Sequence, residues 1–103
     1  MEDEAIQLGG NIELSGFNSL DGGIMIVLKK IIGNYARRMS DKAKNFEKLS
    51  LHVKKVHEKE KSELYEMHAK LLDNGSALTA SSTERNLFVA VDNSLKGIMN
   101  QIK

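Results

Sequence analysis

Asn74-Gly75, set between two runs of alternating apolar residues, is the feature that most limits how this chain can fold. A two-residue type I′ turn needs positive φ at both central positions, which asparagine and glycine adopt at little cost. Such a turn fixes the pairing of its arms, so Leu71 faces Leu78 and Ala69 faces Ala80. Upstream, Leu49, Leu51 and Val53 alternate with polar neighbours, as do Tyr65, Met67, Ala69 and Leu71, and the stretch 57–62 between them is polar. A hairpin closed there sets Val53 against Met67 and Leu51 against Ala69, with Lys54 opposite Glu66 on the other face. Two hairpins with independent signals therefore turn their apolar side the same way.

The rest of the chain supplies something to cover that side. Ile12, Leu14 and Gly16 repeat with period two and predict a first strand over about 11–16. Asp21 is placed to cap a helix of about twenty residues, along which Ile24, Leu28, Ile31, Tyr35, Met39 and Ala43 recur three or four apart. Ser82 or Thr83 is expected to cap a last helix with Glu84 in its first turn. On that helix Phe88, Val91, Leu95 and Ile98 should be buried against Leu51, Met67 and Leu78. The order β-α-β-β-β-α predicts an α+β two-layer sandwich, with two helices on one face of a four-stranded sheet. Its first strand is expected to join its neighbour in parallel across the first helix. Residues 11–103 make the domain, and residues 1–10, acidic and then glycine-rich, are expected to be loosely held, although Ile6 and Leu8 fit a short strand.

Composition removes several functions. The 103 residues carry no cysteine, which excludes disulfides, thiolate metal sites and cysteine nucleophiles. The longest apolar run, Ile24 to Leu28, falls far short of the roughly twenty residues that span a bilayer. Glu2, Asp3 and Glu4 have the wrong sign for a secretory or mitochondrial presequence, so a cytoplasmic location without membrane contact is expected. Gly9-Gly10 and Gly22-Gly23 lack the spacing of phosphate-binding loops, and no G-x-S-x-G elbow occurs. A protein without catalysis and without a cofactor is the expectation. His52 falls opposite His68, with Glu66 near enough to suggest zinc. With no third firm ligand the pair reads as surface histidines, and no metal site is expected.

Charge is more informative in its placement than in its sum. The net charge is +1, yet Lys30, Arg37 and Lys44 are spaced seven apart along the first helical pattern, bordered by Lys29, Arg38 and Lys42. The last helix offers Arg85, Lys96 and Lys103 with Asp92 between, and negative charge gathers elsewhere, at residues 2–4 and around Glu58, Glu60, Glu63 and Glu66. A near-neutral chain can thus present a basic helical face, which is what phosphate contacts require. Lys29, Lys30, Arg37, Arg38, Lys44 and Lys96 are the expected RNA-binding residues. A solvated helix face is the plain alternative. A different function, homo-oligomerisation, would use Val56, Leu64 and Leu72 on the sheet face away from the helices.

The stretch Asp73-Asn74-Gly75, then Leu78-Thr79-Ala80-Ser81, then Asn86-Leu87-Phe88-Val89-Ala90-Val91-Asp92 resembles the domain of the bacterial ribosome-hibernation factors that bind the small ribosomal subunit. Those factors likewise have an Asn-Gly hairpin, a strand of small residues and a helix start of the form aromatic-x-Ala-[Ile/Val]-Asp. Ile12-Glu13-Leu14-Ser15-Gly16 is similar to their first strand, and the likeness runs over about residues 12–103. It implies a double-stranded-RNA-binding-like fold and contact with ribosomal RNA through basic helical faces. After Asp92 the pattern departs: Gly97 and Asn100 stand where those factors tend to carry lysine or arginine, and Lys96 is one position out of step. The fold is what the resemblance carries over, and no binding residue comes with it. Membership of a small archaeal family of unknown function is a further expectation. Eight asparagines argue against a heat-loving source.

Overall fold

The computed structural model describes residues 6–8, 11–18, 20–57 and 63–102. Strand β1 (Ile6–Leu8) and strand β2 (Ile12–Ser15) precede helix α1 (Gly22–Lys42). Strands β3 (Phe46–His57), β4 (Glu63–Asp73) and β5 (Ser76–Glu84) follow, and helix α2 (Leu87–Met99) comes last. The sheet order is β1-β2-β3-β4-β5, antiparallel throughout except for the parallel pair β2 and β3 on either side of α1. The four expected strands are present with both helices on one side, and β1 adds a fifth at the edge, pairing Ile6 with Leu14 and Leu8 with Ile12. Residues 6–8 of the N-terminal stretch are thus tied to the sheet. Residues 1–5 and 9–10 lie outside the described residues, as does most of the polar connection, 58–62.

The hairpin registers follow the turn chemistry. Asn74 has φ 53° and Gly75 φ 85°, and the arms pair Leu71 with Leu78 and Ala69 with Ala80. Across β3 and β4, Val53 pairs with Met67, Leu51 with Ala69, Lys54 with Glu66 and His52 with His68. A register shift between Phe46 and Lys48 lets the start of β3 fold against the turn. There the Asn45 amide donates to Asp73 Oδ1 at 2.8 Å and the Gly75 amide donates to Glu47 Oε2 at 3.2 Å.

The core lies between the helices and one sheet face. Leu14, Leu49, Leu51, Met67 and Leu71 from the strands meet Leu28, Ile32, Met39, Leu95 and Ile98 from the helices, all essentially inaccessible to water. Phe17, in the connection after β2, is also fully buried, and no periodic pattern in the sequence marks it. Gly16 makes that connection possible. Its φ is +81°, and a Cβ there would sit well inside contact distance of the Val53 carbonyl oxygen.

α2 corrects two expectations. Ser82, Thr83 and Glu84 do not open the helix; they continue β5 opposite Met67, Glu66 and Tyr65. The cap is Asn86, whose Oδ1 accepts from the Val89 amide at 3.1 Å. Glu84 Oε2 instead accepts from Asn93 Nδ2 at 3.1 Å. Starting after Asn86, the helical phase buries Leu87, Ala90, Val91, Leu95 and Ile98, and leaves Phe88 only half-buried at the margin of the core.

Candidate nucleic-acid interface

α1 owes its start to Asp21, whose carboxylate accepts from the Gly23 amide at 3.0 Å. Its apolar stripe, Leu28, Ile32, Tyr35, Ala36 and Met39, turns to the sheet. The opposite side is left to Lys30 and Arg37, both exposed and two turns apart, a rise of about 10 Å. On the two helices together the basic residues are Lys29, Lys30, Arg37, Arg38, Lys42 and Lys96, against Asp41 and Asp92 alone. Only Lys96 has a carboxylate within ion-pair reach among the described residues, with its Nζ 3.4 Å from Asp92 Oδ2.

The six residues expected to bind RNA do not all come together. Lys30 and Arg37 share the outward side of α1. Arg38 turns toward α2, where its guanidinium lies 4.8 Å from the centre of the Tyr35 ring. Lys96 stands across from it on α2. Lys29 is exposed on a separate flank of α1. Lys44 falls outside the stripe: α1 ends at Lys42, Ala43 is extended with ψ 152°, and Lys44 instead borders a hollow beside Asp73, Asn74 and Ser76. A seven-residue spacing carries a side chain along one face only while the helix lasts.

Between Arg38 and Lys96 lies a pair that sequence reading treated separately. The Tyr35 hydroxyl donates to Asp92 Oδ1 at 2.6 Å. This hydrogen bond is the main cause that holds the Asp92 carboxyl below its usual range, aided by Lys96 and Arg38. Burial is the main cause that raises the Tyr35 phenol above 10, and the neighbouring Asp92 adds to it. Asp92 is therefore a fixed negative charge set into a basic surface. Nothing in the sequence pairs Tyr35 with Asp92, because one reads as core and the other as an interruption.

The outer face of the sheet departs from the oligomer expectation. Val56 pairs with Leu64, but Leu72 pairs with Lys48 and Ala77. Leu64 and Leu72 stand eight residues apart on β4, about 26 Å. Glu66, His68 and Lys70 occupy the same face between them, so the three residues do not form one apolar patch. The largest exposed apolar side chains are instead on the helices, with Ile26 63% exposed and Val27 and Val89 less so. His68 Nε2 lies 3.8 Å from Glu66 Oε1, and among the described residues no three histidine or acidic side chains cluster as metal ligands. Among the described residues no helix is long and apolar enough to cross a membrane.

No protein-family model matches the chain, and no curated protein matches it in sequence.

Proposed function

We propose that the protein is a non-catalytic RNA-binding protein that grips phosphates with its helical layer. The observation that carries this is the imbalance on that layer: six basic side chains against two acidic ones in a chain of net charge +1. Five of the six have no carboxylate within ion-pair reach among the described residues. Lys30 and Arg37 supply contacts along α1, while Arg38 and Lys96 stand on either side of the Tyr35–Asp92 pair. Arginine can hold a phosphate through two parallel N–H donors, whereas lysine acts as a compact charge. Contacts of this kind position a backbone and read no bases. The target is therefore structured RNA taken largely without regard to sequence, and the likeness to small-subunit-binding hibernation factors favours ribosomal RNA. On this reading the protein works in the cytoplasm and needs no cofactor.

The oligomer alternative loses its motive because Val56 and Leu64 stand apart from Leu72. Charge reversal tests the proposal: Arg37→Glu with Arg38→Glu should weaken binding to a structured RNA hairpin at least tenfold while leaving the sedimentation coefficient unchanged. Equal binding by the reversed protein would make the helix cations an ordinary solvated face.

A further inference from the structure

Two rows of directly opposed residues cross the sheet on the side away from the helices. One is Ser15, His52, His68 and Ser81; the next is Glu13, Ser50, Lys70 and Thr79. Four strands set at their usual spacing make each row about 14 Å wide. Small hydroxyl side chains at both ends of the first row, and at Ser50 and Thr79 in the second, leave a hollow of about 530 Å³ over the two imidazoles and Lys70. That volume lies within the range of small-ligand sites, roughly 300–1,000 Å³.

The chemistry of the lining is one-sided. Ser15, Ser50, Thr79 and Ser81 each bring a hydroxyl, His52 and His68 bring ring N–H groups, and Lys70 brings a full positive charge. Lys70 has no carboxylate within ion-pair reach among the described residues. Of the nearby acids, Glu13 Oε1 is 2.6 Å from Lys48 Nζ, while Glu66 lies opposite Lys54 with its Oε1 3.8 Å from Nε2 of His68 at the edge of the hollow. A phosphate fits such a donor set, with Lys70 as its charge partner and Ser50 and Thr79 beside it. Imidazole rings are flat surfaces on which a base can stack.

We infer that this hollow binds a small ligand joining a phosphate to a flat aromatic ring, a mononucleotide being the fitting size. The site is on the layer opposite the helical cations and does not depend on the RNA-binding proposal. Lys70 and the two hydroxyls hold the phosphate, and His52 and His68 carry the ring.

Titration with adenosine 5′-monophosphate, followed by amide chemical shifts, tests this directly. Saturable shifts at Ser50, His52, His68, Lys70, Thr79 and Ser81 are expected with a sub-millimolar Kd, with Lys30 and Arg37 unmoved. Lys70→Gln should weaken binding at least fivefold, and His52→Ala with His68→Ala should do the same. Adenosine without the phosphate, and inorganic phosphate without the ring, should each bind at least tenfold more weakly. All these side chains are exposed or half-exposed, so the variants keep the fold, which their unchanged remaining amide spectrum checks. Shifts confined to the helices, equal binding by Lys70→Gln, or the absence of saturation would overturn the inference. Inorganic phosphate binding as tightly as the nucleotide would overturn the part assigned to the histidines.

Discussion

Tyr35 and Asp92, 57 positions apart in the chain, are joined by a 2.6 Å hydrogen bond that ties α1 to α2. The bond lies between Arg38 on α1 and Lys96 on α2. Arg38 stacks on the Tyr35 ring and Lys96 reaches Asp92, so a single contact organises stability and surface charge together.

Replacing Tyr35 by phenylalanine should cost about 1.5–2 kcal/mol, the low end for a hydrogen bond to a charged acceptor, because the bond is only part-buried. The cost should also depend on pH at both extremes. Folding holds the Asp92 carboxyl low, so its contribution is present near neutrality and is lost as pH falls below about 4. Folding raises the Tyr35 phenol, so that contribution is present below about pH 10 and is lost as pH rises beyond it. Urea denaturation of both proteins across pH should show a difference that is flat near neutrality and shrinks at each end. A difference independent of pH would mean that the bond is not what Tyr35 contributes.

Asp92→Asn keeps a carbonyl acceptor for Tyr35 while removing the negative charge beside Arg38 and Lys96. RNA affinity should rise about 2–3-fold at low salt, as one charge several ångströms from a phosphate would give. The gain should fade above about 0.15 M salt. A fall in affinity, measured by fluorescence anisotropy, would place the RNA away from Asp92.

Gly97 lies where α2 meets β5. A Cβ there would lie 2.8 Å from Ala80 Cβ, so α2 rests on β5 at a point with no room for a longer side chain. Gly97→Ala should destabilise the protein even though alanine favours a helix by about 1 kcal/mol. Ala80→Gly in the same protein should recover most of the loss, and thermal melts of the four members of the cycle measure the coupling. Additive effects would show that the helix and strand are not in close contact there.

Gly16→Ala should be the more damaging glycine change, at about 2–4 kcal/mol, because a positive φ and a backbone obstruction act together. Gly75→Val meets open space and bears only the strain of its φ, about 1–3 kcal/mol. A melting temperature lowered more by Gly75→Val than by Gly16→Ala would reverse that ranking.

The sheet was legible because its signals are local and redundant: one Asn-Gly turn and two alternating arms admit a single register. What escaped depends on long-range geometry. β1 showed only as the alternation of Ile6 and Leu8, and three residues do not tell which strand they pair with. Ser82, Thr83 and Glu84 resemble a helix start, yet pairing with β4 extends the strand through them and leaves Asn86 to cap. Lys44 follows the heptad spacing of Lys30 and Arg37, but no sequence rule showed that α1 stops two residues before it. Of the interface, the outward cations Lys30 and Arg37 could be read from periodicity, while the Tyr35–Asp92 pair could not. The outer hollow was half visible. The register that opposes His52 and His68 also opposes Ser50, Lys70 and Thr79, and carrying it across β5 would have assembled the row.

The salt dependence of RNA binding tests the central proposal most directly. With four phosphates engaged by Lys30, Arg37, Arg38 and Lys96, log K against log salt should fall with a slope of about −3 to −4, since each neutralised phosphate releases its condensed counterion. Lys30→Glu with Arg37→Glu should reduce the slope to about half, because two of the four contacts are gone. A wild-type affinity that does not change with salt, no binding at about 50 mM salt, or the same slope in the reversed protein would contradict a phosphate-gripping helical face.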